Sequence, residues 1–312
     1  MRTHVRVRWT CYLQPPVGAP LLAIDDLRID VAGVAAIDGL ALSTRPDVER
    51  AVVVGAPRAL FEACCGLVKP SRGAVAVQGV AAALAMMRGA LAGAPVDPPM
   101  PADWSPLDYV SWSARLAGMS KGEARARAES ALERIGIRAE ASGLLGRAPL
   151  ATKRATSIAA ALATGARVIA LEDPTASLDD DAAHAVARHV VRALEGRAWI
   201  LFAARAPLTS DLVASCGEAL VIAGSACIES GAPAELATRT RTYAVDAHGD
   251  VEALAARLTS RVLRVEARLV THGSARLVVE LAPGETTRAL FACAEEVGAV
   301  VVELRPISRA FA

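Results

Sequence analysis

The residues best suited to chemistry lie between Leu171 and Asp181, in the run LEDPTASLDDD. Arg167 to Leu171 is apolar after its first residue, reads as a buried strand, and ends in Glu172 and Asp173. Carboxylates at the C-terminal end of a central parallel strand can position a divalent cation and an attacking water. The simpler alternative is that they cap the next turn, which Pro174 starts. Acid-acid-Pro-Thr followed by Ser-Leu-Asp is specific enough to favour the chemical reading. A second segment, VVVGAPRALFEACCG, runs from Val52 to Gly66. There Gly55 closes an apolar strand and Arg58 is the only cation nearby. Other residues take plainer readings. Asp179, Asp180 and Asp181 could hold a cation, but acids at a helix N-terminus, where they complement its dipole, are the simpler reading. His184 and His189 read as surface or half-buried side chains. The six cysteines (Cys11, Cys64, Cys65, Cys216, Cys227, Cys293) have no metal-ligand spacing and read as small buried hydrophobes in a reducing compartment.

The elements that must position these residues follow from periodicity. LLAIDDLRIDV and GLALST alternate as two half-buried antiparallel strands, Ala51 to Val54 is a short apolar strand, and Ala59 to Gly66 is a helix. SRGAVAVQG reads as a turn and a strand, and Pro98, Pro99 and Pro101 as an extended loop. Ser105 to Gly118 and Lys121 to Gly136 read as helices, the second with Ser120 and Glu123 at the spacing of a capping box. Ala151 to Thr164 and Ala182 to Leu194 are predicted helices, and Trp199 to Ala204 the next buried strand. This alternation predicts an α/β sheet with ligands at the C-terminal ends of its strands. Beyond about residue 240 the order becomes βαββαβ, a small ferredoxin-like α+β domain.

The 312 residues, 53% of them hydrophobic, suffice for a large domain and a small one. The formal net charge is +1 and the 34 basic residues are spread along the chain, which argues against nucleic acid as a partner. The mean hydropathy of +0.35 comes from Ala and Val rather than long Leu, Ile or Phe runs. No stretch reaches the roughly 18 to 20 apolar residues of a bilayer span. The best candidate, Val80 to Val96, is interrupted by Arg88, Gly89 and Gly93 and reads as a soluble amphipathic segment. MRTHVRVRWTCYLQPP lacks the apolar core of a signal peptide, so a cytoplasmic location is expected.

These motifs together resemble the nucleotide-binding subunit of an ATP-binding-cassette (ABC) transporter, of the exporter type, over residues from about 21 to 238. The match rests on Glu172, Asp173, Pro174 and Thr175, then Leu178 and Asp179. It extends to GLVKPSRGAVAVQG after the phosphate loop, SARLAGMSKGEARARAESALERIGI in the helical subdomain, and GSACIESGAPAEL after the last core strand. The resemblance implies a P-loop NTPase-like ATPase domain at 21–238, with a helical subdomain at about 98–150. An extension at 1–20 precedes it, and a ferredoxin-like accessory domain at 240–312 follows. It also implies roles for single residues: Glu172 and Asp173 as the catalytic acids, Gly55 and Arg58 as the remnant of the phosphate loop, Leu178 and Asp179 at the dimer interface, and Arg205 at the switch position.

The departures from the family pattern fall on the nucleotide. Its phosphate loop runs Gly, four residues, Gly-Lys-Ser or Thr, with backbone N–H groups around the phosphates, the Lys on the outer ones and the hydroxyl on magnesium. Here the segment from Gly55 to Gly66 is about four residues short and has neither Lys nor hydroxyl. The acidic pair is reversed, Glu before Asp. The residue expected before the helical subdomain falls at or beside Val96, with Asp97 as a partial substitute. The glycine-rich signature is replaced by APLATKRA, Ala148 to Ala155, and the switch histidine by Arg205 or Pro207. No aromatic residue near Ile29 to Val31 can stack on adenine. The expectation is a pseudo-ATPase with weak ATP or magnesium binding at most and no metal site assigned. Its expected partners are a homologous catalytic subunit and a membrane-embedded permease at the inner face of the cell membrane. The alternatives are an atypical but active ABC ATPase energising export, and a soluble regulatory or scaffold protein derived from the same fold.

Overall fold

The computed structural model describes residues 18–206, 210–239, 242–261, 264–271, 273–282 and 285–306. In chain order the elements begin with β1 (Leu22–Val31), β2 (Val34–Ser43), β3 (Arg50–Val54), α1 (Arg58–Cys64), β4 (Arg72–Val77), β5 (Val80–Ala81), α2 (Ala82–Met87) and β6 (Leu91–Ala94). The helices α3 (Pro106–Leu116), α4 (Lys121–Arg134) and α5 (Leu150–Ala163) follow. Then come β7 (Val168–Glu172), α6 (Asp180–Ala193), β8 (Ala198–Ala203), α7 (Asp211–Ala214), β9 (Glu218–Ala223), β10 (Ala226–Gly231) and α8 (Pro233–Arg239). The last group is β11 (Thr242–His248), α9 (Val251–Ser260), β12 (Arg264–Thr271), β13 (Ser274–Glu280), α10 (Thr287–Glu296) and β14 (Val300–Pro306).

The strands form three sheets, ordered β2-β1-β4-β5, β10-β9-β3-β8-β7-β6 and β12-β13-β11-β14. The second is the α/β sheet expected from the apolar strands. Its β3, β6, β7, β8 and β9 run parallel and β10 is antiparallel at the edge. β7 is buried at every position and β3 at all but its first, as strands covered on both faces must be. Parallel pairing brings the C-terminal ends of β3, β6, β7 and β8 to one edge, which is where Gly55, Val96, Glu172 and Ala203 meet.

Val80 to Val96 is not one amphipathic segment. It is cut into β5, α2 and β6, with Gly89 at φ +68° after α2, and β6 joins the parallel sheet beside β7. A four-residue apolar run carries no period by which to recognise it. The capping box lies one helix earlier than expected: Ser105 and Asp108 bond reciprocally at the start of α3. Ser120 only accepts from the Glu123 N–H, without the return bond.

The helices α3, α4 and α5 pack against one another on small residues. Ala114, Ala124, Ala128, Ala131, Ala155 and Ala159 are all buried there. The spacing of 124, 128 and 131 keeps one narrow alanine face on α4. The last sheet is antiparallel throughout, in the split βαβ order that βαββαβ predicts, around its own cluster of Val245, Leu254, Leu258, Leu277, Leu290 and Cys293.

Candidate functional site

Between β3 and α1 only Gly55, Ala56 and Pro57 intervene. Gly55 has φ +77°, and a Cβ there would lie 2.1 Å from the Ile222 carbonyl oxygen, so the chain leaves β3 pressed against β9. The Ala56 N–H donates to the Ala203 carbonyl, 3.2 Å away, and Pro57 has no N–H to offer. Arg58 opens α1 and points its guanidinium back along the strand ends. Its Nε lies 2.9 Å from Glu62 Oε1 and 3.6 Å from Glu172 Oε1. The hydrogen bond that Arg58 donates to Glu62, and then the charge of Glu172, raise the Arg58 pKa.

Glu172 is buried at the end of β7, and its other carboxylate oxygen accepts the Val96 N–H at 2.9 Å. The first acid of the pair therefore bridges a cation on α1 and the main chain after β6. Asp173 is half-buried with φ +26°; its N–H donates to the Phe202 carbonyl, and Thr175 Oγ1 donates to its Oδ1 at 3.4 Å. Burial raises its pKa, Glu172 adds to this, and the Thr175 bond and the charge of Arg154 act the other way. With the folded pKa above the unfolded one, the stability this carboxyl contributes is full below the ordinary aspartate range. It is lost as pH rises through the folded pKa. Asp173→Asn is expected to flatten the fall in urea midpoint between about pH 4 and pH 7. An unchanged slope would count against this placement of the charge.

The loop after β6 and the loop after β7 are joined by Arg154 on α5. Arg154 Nη1 lies 2.7 Å from Asp97 Oδ1, and Nη2 donates to the Ala176 carbonyl at 3.4 Å. The Arg154 side chain is 4% exposed, whereas Asp97 is 67% exposed. Ser157 Oγ donates to the Pro95 carbonyl at 2.8 Å, one turn further along α5. Sequence reasoning singled out Asp97 but missed Arg154. The available signal was an arginine at i−4 from Ile158, on the buried stripe of a helix otherwise built mostly of alanine, threonine and serine. α5 begins after Pro149 with no side-chain cap, inside the segment that replaces the glycine-rich signature.

Of the remaining candidates, Asp179 is the N-cap of α6, accepting the Ala182 N–H at 2.8 Å, and Asp180 and Asp181 occupy the first turn. That is the dipole-complementing arrangement. Leu178 packs half-buried on the main core, and Arg205 is exposed. Neither is drawn into the Glu172 cluster; Pro207 lies outside the described residues. His184 is exposed, its Nδ1 2.7 Å from the Asp180 carbonyl. Among the described residues no group of three or more His, Cys, Asp or Glu could hold a metal ion, and no helix is long and apolar enough to cross a membrane.

This sheet order, with the acidic pair at the end of β7 and a helical layer inserted after β6, is the fold of the ABC ATPase domain. The solved structure of cbiO1 from Clostridium perfringens, part of the ABC transporter complex cbiONQ, matches with a TM-score of 0.59 at 21% identity, covering 70% of this chain and 90% of cbiO1. In sequence the chain is 30% identical to the arabinose import ATP-binding protein AraG of Azospirillum brasilense over 199 residues, 60% of this chain and 38% of AraG. It is 28% identical over 176 residues to the lipoprotein-releasing system ATP-binding protein LolD of Chromohalobacter salexigens, 53% of this chain and 72% of LolD. The chain thus spans less than two fifths of the arabinose-import relative. No family model matches it. The structural neighbours show that the chain has the fold of ABC ATP-binding subunits, and the sequence relatives are themselves ATP-binding proteins.

Proposed function

We propose that this chain is a pseudo-ATPase cassette of an ABC transporter, a structural half that pairs with a homologous catalytic subunit and holds a membrane-embedded permease at the inner face of the membrane. The observation that carries this reading is the connector of three residues between β3 and α1. A phosphate cradle needs several converging main-chain donors. Here Ala56 has spent its N–H on Ala203, Pro57 has none, and the cation that follows is paired with Glu62 and Glu172. The residues present do not fit a magnesium-bound triphosphate, and no hydrolytic step is assigned to Glu172 or Asp173. Each lost charge-assisted hydrogen bond costs about 1.5 to 3 kcal/mol, so losing several lowers affinity by orders of magnitude.

The binding role would fall to the helical layer at about 98–150. On α3, Trp112 and Leu116 are exposed one turn apart, and Trp112 packs edge-on against Trp104 at 5.8 Å. An apolar, aromatic helix face of this kind suits a protein partner. The accessory domain at 240–312, with its separate core, belongs to the same chain and has no part in the strand-end cluster.

Calorimetric titration of the full chain with magnesium ATP is expected to give no saturable heat in the low micromolar range; a low-micromolar Kd would overturn the proposal. In a reconstituted complex, Glu172→Gln with Asp173→Asn is expected to leave turnover unchanged. Loss of turnover with assembly intact would favour the active-ATPase alternative.

A further inference from the structure

Three arginines gather at the opposite end of the parallel sheet, around the turns that lead into β7 and β8. Arg197 is half-buried and its Nη1 donates to the Ala166 carbonyl at 2.6 Å. Arg134, from the end of α4, donates through Nη2 to the Glu195 carbonyl at 3.2 Å. Arg127, two turns earlier on α4, holds its Nη1 3.7 Å from where a Gly165 Cβ would sit. The Ala166 carbonyl thus fixes one guanidinium beside the glycine that makes room for another.

None of the three has a carboxylate within 4.0 Å among the described residues. In the same molecule Arg58, Arg72, Arg125, Arg138, Arg257 and Arg276 do. Glu195, in the same turn, offers Arg134 its carbonyl, and its side chain is exposed. Burial, and then the charges of Arg134 and Arg127, lower the pKa of Arg197, as expected for like charges held together without a counterion.

We propose that Arg127, Arg134 and Arg197 form a binding site for a phosphate-type anion, remote from the strand-end cluster at Glu172. Guanidinium groups offer paired N–H donors that match phosphate oxygens, and each of these three keeps donors in hand after its main-chain contacts. Three positive charges suit a ligand with more than one negative charge, either a soluble diphosphate or the headgroup of an anionic phospholipid. The five residues of β7 place the site about 17 Å from Glu172, too far for one small ligand to touch both ends.

The test has two arms on the full chain. In the first, inorganic pyrophosphate is titrated by calorimetry; in the second, co-sedimentation is measured with vesicles of phosphatidylcholine alone and with added cardiolipin, whose headgroup carries two phosphates. Saturable binding in either arm, weakened about tenfold or more by Arg127→Gln and by Arg197→Gln, is expected. Pyrophosphate binding would identify a soluble ligand, and binding to anionic vesicles alone a headgroup. The Arg127 side chain makes no hydrogen bond to the protein among the described residues, so its variant should fold even if the Arg197 variant does not. Absence of binding in both arms, binding indifferent to Arg127→Gln, or binding lost on Arg58→Gln instead would overturn the proposal.

Discussion

Replacing Gly55 by alanine should lower the unfolding free energy by about 2 to 4 kcal/mol, combining the strain of a left-handed alanine with an overpacked contact. The new methyl would meet the Ile222 carbonyl oxygen at 2.1 Å and its carbonyl carbon at 3.2 Å. Both belong to main chain in a buried strand, so no flexible side chain can swing away. Either β3 and β9 separate or the turn into α1 rebuilds. Chemical denaturation should show the loss as a lower midpoint with an unchanged slope. A cost below about 0.5 kcal/mol would mean that this corner of the sheet is softer than its packing suggests. Gly55 is thus required by the close approach of two strands, whatever else it meets.

The second large effect is expected at a residue that looks expendable. Asp97 is mostly exposed, and deleting an exposed carboxylate usually changes stability by less than about 0.5 kcal/mol. Asp97→Ala should cost about 2 to 4 kcal/mol, because it strands the buried Arg154 guanidinium with the Ala176 carbonyl as its main remaining partner. Among the described residues Arg154 Nε already has no hydrogen-bond partner, so little is held in reserve. Arg154→Met, which removes the charge and keeps the volume, should restore most of the loss when combined with Asp97→Ala. If Asp97→Ala is nearly neutral in urea denaturation, or Arg154→Met rescues nothing, the pair does not fasten α5 to the strand-end loops.

What could be read from the residues follows from which interactions leave a local trace. β3, β7 and β8 are continuous apolar runs with turn residues after them, so both their existence and the acids at the end of β7 were visible. The order of the last sheet followed from element order alone, since a βαββαβ chain has few ways to cover one face of a sheet. β6 was hidden because Leu91 to Ala94 is short and follows another apolar stretch, and no period separates the two. Arg154 was hidden for another reason. Its partners, Asp97 and Ala176, are distant in sequence and meet only once β6 and β7 lie side by side. The resemblance of LEDPTASLD to a family motif gave residue identities at the strand end. It could not say that Glu172 would turn inward to Val96 and Arg58.

The alanine seam between α3, α4 and α5 gives the protein an uneven tolerance to change. At Ala124, Ala128 or Ala159 there is almost no side chain left to truncate, so harm comes mainly from growth: each added methyl must push two helices apart. Around Phe61, Leu60 and Trp199 the direction reverses, and harm comes from loss, through the cavities that shortened side chains leave behind. Random mutation of this one chain therefore meets opposite size limits in two parts of its core. In the helical layer added volume is what destabilises, and around the sheet it is lost volume.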